Sequence, residues 1–225
     1  MTNRPRAAQV LREKIAGGGS ADSFGARARQ RRWGMFLQRF PDLASARVID
    51  LGGTPGFWSG CPVRPAELTV VNLDAPRGDA PSWIEVIVGD ACEAGSLMGS
   101  RKFDLVFSNS TIEHVGGHDR CQAFARSVLS LSSRHWIQTP YRYFPVEPHF
   151  VFPALQFLPV AIRQRIVARW PLSYTRSVGG TLNDPIGTVL SVELLSKTQL
   201  KYYFPASEIV SEPFFGLTKS IIAVR

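Results

Sequence analysis

Cysteine is scarce in this chain: Cys61, Cys92 and Cys121 are the only three among 225 residues. Their number is odd and no two form a Cys-x-x-Cys pair, which argues against a disulfide framework or a zinc site. A reduced, cytoplasmic protein is the expectation. Long apolar runs are also missing. FVFPALQFLPVAI at 150–162 carries two prolines and a glutamine and falls short of the roughly 18 residues that suggest a membrane span. The N-terminal MTNRPRAAQV holds no apolar segment that could serve as a secretory signal. No internal repeat is visible. No Gly-Lys-Ser/Thr follows a glycine loop, so a P-loop is excluded. The dinucleotide fingerprint Gly-x-Gly-x-x-Gly fails too, because its positions counted from Gly52 are Gly52, Thr54 and Phe57.

What is present is an ordinary globular composition, 44% hydrophobic and 20% charged, over a length that supports one substantial domain. The net charge of +8 is concentrated at one end, since residues 1–40 hold nine Lys/Arg against Glu13 and Asp22. AGGGSADS at 16–23 reads as a hinge, making 1–24 a mobile basic arm and 25–225 a single domain. GARARQRRWGMFLQRF at 25–40 spaces Trp33, Met35, Phe36 and Phe40 as a helix docked by one apolar face, its arginines solvated. Contact with an anionic partner, or with a carboxylate on a ligand, is the other reading of those arginines.

From residue 46 a regular alternation begins. ARVIDLG reads as a strand, with 57–64 a short loop or distorted helix. ELTVVNLD (67–74), IEVIVGDA (84–91), KFDLVFSN (102–109) and RHWIQTP (134–140) are further strands, and HDRCQAFARSVLSLS (118–132) is a helix. Short strands that are apolar on both faces belong to a parallel sheet covered by helices, hence a doubly wound α/β fold. The pattern breaks at 141–187, rich in proline and aromatics. An insertion of this length after strand five is too long to be structureless, and PALQFLPVAIRQRIVARW supplies one helix. SVELLSKTQLKYYF is a second helical segment, and SEIVSEPFFGLTKSIIAVR reads as two strands joined through Gly216.

The stretch VIDLGGTPGFW at 48–58 sets an acid and three glycines after a strand. Glycines there permit positive φ and close approach of backbone to a ligand. Asp50, Asp74 and Asp90 each fall near the end of a strand, and the carboxyl ends of strands face the ligand crevice of an open α/β sheet. Asp74 lies 18 residues past Gly56, where such folds place the acid that binds ribose hydroxyls. Three carboxylates without a basic residue in the loop suit a cationic nucleoside lacking phosphates.

In order, VIDLGGTPGFW, VVNLD, VGDA and FDLVFSNSTIEHV resemble the first four motifs of class I S-adenosylmethionine-dependent methyltransferases. LKYYFPASEIVSEPFFGLTKSIIAVR resembles that family's last helix and hairpin. The resemblance covers about residues 46–140 and 190–225 and implies a mostly parallel seven-stranded sheet with a helical lid inserted after strand five. It implies that Gly52, Thr54 and Gly56 of the loop pass beneath the methionine part of the cofactor, with Asp50 and Gly53 also among the cofactor-binding residues. Asp74 would hold the ribose, Asp90 with the Ala91 amide the adenine edge, and Ser108 and Asn109 the sulfonium side. One departure is Thr54, beside Pro55, where the family has its second loop glycine. Asp104 opens strand four at the far end and is read as structural.

SNSTIEHV stands where base N-methylating enzymes carry Asn/Asp-Pro-Pro-Tyr/Phe, which points away from nucleic acid and toward an oxygen acceptor. Such a transfer needs alignment and a base for the hydroxyl proton. Histidine suits that task near neutral pH. His135 begins strand five away from the crevice and is read as structural; His118 is read as solvated. His114 and His149 are the catalytic candidates, His149 as general base. IEHV resembles the metal-ligand stretch of ubiquinone-type O-methyltransferases, so Glu113 and His114 are candidate magnesium ligands, although Ser110 replaces a third, acidic one. Tyr141, Arg142, Tyr143 and Glu147 are expected to bind a small polar acceptor such as a saccharide. The chain is similar, less specifically, to actinobacterial saccharide methyltransferases, among them the mycobacterial sugar O-methyltransferases that cap methylmannose oligosaccharides. A quinone or lipid at a membrane surface, or RNA drawn by the basic arm, are the other acceptors considered. A homodimer is compatible with any of these.

Overall fold

The parallel strands run in the anticipated places. They are β1 (Arg47–Leu51), β2 (Glu67–Asn72), β3 (Ile84–Val88), β4 (Leu105–Asn109) and β5 (His135–Pro140). A two-residue hairpin, β6 (Val146–Glu147) with β7 (Phe152–Pro153), follows, and β8 (Glu208–Phe214) and β9 (Leu217–Val224) close the chain. The coordinates are a computed structural model describing residues 24–76, 78–173 and 184–225. The arm expected over 1–24 lies outside the described residues, apart from Phe24. Among the described residues seven strands form one sheet in the order β3-β2-β1-β4-β5-β9-β8. β3 to β5 pair in parallel, while β9 is antiparallel to both β5 and β8. The order reverses between β1 and β4, the topological switch point at which doubly wound sheets bind ligands. The sheet is thus the mostly parallel, seven-stranded, doubly wound one anticipated.

The helices are α1 (Phe24–Arg39), α2 (Pro55–Trp58), α3 (Ala94–Leu97), α4 (Gly117–Leu131), α5 (Val160–Arg169), α6 (Pro185–Leu190) and α7 (Lys197–Tyr203). Strand alternation divides the core into two layers. Ile49, Val71, Val106 and Ile137 face Phe124 and Val128 of α4 and Leu200 of α7. Their neighbours Val48, Val70, Leu105 and Trp136 face the other way, onto Trp33, Phe36 and Phe40 of α1. There Trp33 stacks on Phe107 at 5.6 Å between centroids, and Phe36 meets Phe107 and Trp136 edge-on. The apolar face read from the spacing of 25–40 is therefore the buried one.

Two helices are shorter than expected. The segment 153–170 forms a single 3-10 turn at Leu155–Phe157, and the α-helix starts only after Pro159. Proline lacks the N–H that would continue a helix and holds its predecessor extended, here Leu158 at φ −81° and ψ 150°. Residues 191–196 are likewise not helical: Ser196 caps α7 in a reciprocal pair with Gln199, and Leu195 bridges to Tyr141. The last hairpin turns at Phe215 and Gly216, both with positive φ (46° and 78°), which suits a type I′ turn.

The chain divides into two compact units. A sheet unit comprises Trp33–Tyr141 and Glu193–Arg225, and an insertion unit contains Arg142–Val192 with the described residues before Trp33. The insertion has its own small core of Phe150, Leu155, Val167 and Val189.

Candidate functional site

The glycine loop leaves β1 at the switch point and is held from three sides. Gly52 has φ +82°, and a Cβ there would lie 2.3 Å from the Thr111 side chain, so both conformation and space require glycine. A Cβ on Gly53 would lie 1.8 Å from Asp50 Oδ2. Gly56 meets no such neighbour. Asn72, at the end of β2, donates Nδ2–H to the carbonyls of Gly52 (3.2 Å) and Gly53 (2.7 Å). Thr111 and Ser108 donate their hydroxyls to the Leu51 carbonyl. Thr54 is extended and precedes Pro55 at the first position of α2, where proline's missing N–H costs nothing. This is why the loop tolerates Thr-Pro in place of a second glycine.

Asp50 is fully buried behind this loop. Trp58 Nε1–H donates to its Oδ2 at 2.8 Å, while Oδ1 has no hydrogen-bond partner among the described residues. Burial pushes its carboxyl up to about 7, against the lowering effect of Trp58. Asp50 therefore acts on the loop's shape from beneath. Asp74 is exposed, its backbone amide donating to Asn72 Oδ1. Beside it Leu73 is 69% exposed, and Val88 at the end of β3 is 58% exposed, leaving apolar surface where the strands end. Asp90 has both oxygens engaged: Oδ1 caps the turn Ala91–Glu93 through Cys92 N, and Oδ2 pairs with Arg120. Burial raises its pKa, but the bonds from Arg120 and Cys92 outweigh it and hold the carboxyl below its usual range. Ala91 is buried at the start of that turn, and Asn109 ends β4.

Past β4 the chain makes a strained step. Ser110 has φ +57°, unusual for a residue with a Cβ, and is fastened to Gln138 through both backbone and hydroxyl. Glu113 is buried; its Oε2 accepts from Thr139 Oγ1 at 2.8 Å and its Oε1 has no hydrogen-bond partner among the described residues. His114 is exposed beside it. His118 is exposed and meets the Tyr203 hydroxyl at 3.0 Å, while His135 is buried against Ser207 at 2.7 Å. Asp104 pairs with Arg47, as a structural residue would.

In the insertion unit Glu147 is buried and fixes His149. Its Oε1 accepts from His149 Nδ1–H at 2.8 Å and its Oε2 from the Phe150 amide at 2.7 Å. A carboxylate can only accept, so the proton sits on Nδ1 and Nε2 is the basic nitrogen. Tyr143 is exposed and stacked on Phe157 at 6.1 Å. Arg142 belongs to the same unit. Tyr141 belongs to the sheet unit, with the Lys197 ammonium 5.7 Å from its ring centre. Asn72, Thr111, Trp58, Arg120 and Thr139 were not singled out from sequence. Each acts by a hydrogen bond or close packing whose partner becomes visible only once the strand register is known, apart from the local Trp58–Asp50 pair.

Solved structures share the fold. N-methyltransferase NodS from Bradyrhizobium japonicum WM9, in complex with S-adenosyl-L-homocysteine, superposes with TM-score 0.56 at 11% identity, over 99% of this chain and 97% of that one. The 1,6-didemethyltoxoflavin-N1-methyltransferase of Burkholderia thailandensis, with bound 1,6-didemethyltoxoflavin and S-adenosylhomocysteine, gives 0.52 at 16%, over 100% and 90%. A cyclopropane-fatty-acyl-phospholipid synthase-like protein from Lactobacillus casei gives 0.51 at 10%, over 94% and 78%. These likenesses show the fold, the Rossmann-like one of class I methyltransferases. No protein-family model and no curated protein matches the chain.

Proposed function

We propose that this chain is an S-adenosylmethionine-dependent O-methyltransferase whose acceptor is a small polar molecule, a sugar or oligosaccharide. The observation that carries the cofactor half is the clamped loop at the switch point. Gly52 is in the left-handed region against Thr111, Gly53 lies over Asp50, and Asn72 holds both carbonyls. That backbone is preorganised for close approach by a ligand. Exposed Asp74, whose side chain has no partner among the described residues, is placed to take ribose hydroxyls, with Leu73 and Val88 offering apolar surface to a purine. Asp90 and the Ala91 amide would meet the adenine edge, and Asn109 the sulfonium side, with fully buried Ser108 supporting the loop from behind through the Leu51 carbonyl. Neighbours of the same fold contain S-adenosylhomocysteine, which supports the same assignment.

When bound, the cofactor supplies an electrophilic methyl group on a sulfonium. The chain's part is to align an acceptor hydroxyl and take its proton as the new C–O bond forms. His149 is assigned as that base because Glu147 fixes its tautomer and stabilises the charge that develops on the ring. Tyr141, Arg142 and Tyr143 would position the acceptor, and His114 is the alternative base. Glu113 Oε1, buried without a hydrogen-bond partner, favours a cation there with His114 as a second ligand. Magnesium takes six oxygen ligands, so water or acceptor would have to complete it.

A lipid or quinone acceptor at a membrane surface is the second reading. It is favoured by Phe157, Val160 and Ile162, which are exposed in the insertion among Arg165 and Arg169. No helix among the described residues is long and apolar enough to cross a membrane. Tritiated S-adenosylmethionine offered with saccharides, quinones and RNA tests the assignment. Transfer to a saccharide hydroxyl supports it, and transfer only to a quinone, lipid or RNA replaces it.

A further inference from the structure

We propose that Arg163 and Arg142 form an anion-binding subsite in the insertion unit, so that the acceptor carries a carboxylate or phosphate as well as the hydroxyl to be methylated. The inference rests on the insertion receiving the acceptor. Arg163 sits three and four residues before Ile166 and Val167, which pack in the insertion's small core. Helical spacing therefore sets half-buried Arg163 at the edge of the inner face of α5. Its Nε is buried and has no hydrogen-bond partner among the described residues. A buried, unmet donor on a charged group is unfavourable unless a ligand meets it.

The surroundings do not meet that need. The nearby carboxylate, Glu147, has both oxygens committed, one to His149 and one to the Phe150 amide. Among the described residues neither Arg163 nor Arg142 forms an ion pair with a carboxylate, whereas Arg39, Arg47, Arg101, Arg120 and Arg134 all do. Burial, and then the charge of Arg142, hold the Arg163 guanidinium below its usual range, with Glu147 offsetting part. Arg142 therefore adds its positive charge to the field at Arg163. The backbone that carries Arg142 is fixed, since Gln156 Nε2 donates to the carbonyls of Arg142 (3.1 Å) and Phe144 (2.6 Å). A buried, unmet guanidinium donor on Arg163, with the charge of Arg142 reaching it, matches the planar oxygens of a carboxylate or phosphate. A neutral sugar would leave that positive field in place.

Calorimetry on the full chain with glucuronate, glucose 6-phosphate and methyl glucoside tests this. At least one of the two anionic sugars should bind tenfold or more tightly than methyl glucoside, and which one does separates carboxylate from phosphate. Arg163→Met and Arg142→Gln should each abolish that preference, while Arg163→Lys should weaken it less. S-adenosylhomocysteine binding, measured on the same samples, reports folding of the variants and tests the cofactor assignment separately. Equal affinity for all three sugars, or an anion preference that survives in both Arg163→Met and Arg142→Gln, would overturn the subsite. Loss of S-adenosylhomocysteine binding by the wild type would overturn the cofactor assignment alone.

Discussion

Asp50 and Trp58, on either side of the glycine loop, are joined by a buried Nε1–H···Oδ2 hydrogen bond of 2.8 Å, which is Asp50's only side-chain hydrogen bond among the described residues. The pairing makes the loop's shape depend on a carboxyl whose charge burial disfavours. Its pKa rises from an ordinary 3.8 to about 7 in the fold. A raised acid contributes stability below its unfolded value and loses that contribution as pH climbs through the folded one. Asp50→Asn keeps an acceptor for Trp58 and removes the titration. Melting curves should show the variant gaining on wild type between pH 4 and pH 8. A difference that stays constant over that range would mean Asp50 does not titrate there.

Gly53 tests the same corner sterically. Alanine would place its Cβ within 1.8 Å of Asp50 Oδ2, a clash with a side chain already fixed by Trp58. Gly53→Ala should lower S-adenosylhomocysteine affinity by tenfold or more and reduce the melting temperature. Gly56→Ala, with open space around the new Cβ, should keep the melting temperature. Equal destabilisation by both would show that loop entropy matters more than the Asp50 contact.

Asp74 should separate binding from folding. It is exposed and, among the described residues, its side chain makes no hydrogen bond to the loop, unlike Asn72. Asp74→Ala should leave the melting temperature within the small range of ordinary surface substitutions. Its S-adenosylhomocysteine affinity should fall tenfold or more, about 1.4 kcal/mol. Asn72→Ala should lose both, because two loop carbonyls give up their donor. Wild-type affinity in Asp74→Ala would remove it from the ribose site.

The sheet and its ligand-facing edge were readable because short, doubly apolar strands signal a parallel sheet, and chain order then puts Asp50, Asp74 and Asp90 at its carboxyl ends. The loop's glycines were readable for the same local reason. Thr111 and Asn72 were not, since each reaches the loop from another strand end, at least 19 residues away along the chain. Asp90 shows the limit differently. Its position is as read, yet its carboxylate is held by Arg120, 30 residues on, a partner no spacing rule supplies. In the insertion, apolar spacing across 153–170 suggested one helix, and Pro159 overrode it by removing a donor.

His135 should make the protein acid-sensitive. Burial, and then the nearby Arg225, hold its imidazole down to about 4. A depressed base contributes stability above its ordinary 6.5 and loses it as pH falls toward the folded value. The melting temperature should therefore drop between pH 6.5 and pH 4. His135→Gln should be less stable at pH 7, having lost ring packing against Phe204, yet show a shallower acid slope. An unchanged slope would assign the acid loss to other groups.

Magnesium at Glu113 and His114 has a direct test. Dialysis against EDTA should reduce turnover, and added magnesium should restore it, if Glu113 Oε1 is a ligand. Turnover indifferent to EDTA would leave Glu113 as the hydrogen-bond partner of Thr139 alone.

The assignment with most at stake is His149 as general base. A base must be oriented as well as basic, and the Glu147 bond provides orientation by fixing the proton on Nδ1. Glu147 is itself held by the Phe150 amide, so the pair is a rigid unit of the insertion. Positioned proton transfer contributes about 10²–10⁴-fold. His149→Ala should lower kcat by that order while leaving S-adenosylhomocysteine affinity near wild type. The wild-type rate should rise with pH along a limb that this variant lacks. Glu147→Gln should fall between the two, because an amide can still accept from Nδ1–H but no longer balances the charge on the protonated ring. Near-normal kcat in His149→Ala would reduce the pair to local structure and move the base to His114. A kcat loss without loss of the pH limb would mean His149 positions the acceptor and another group takes the proton.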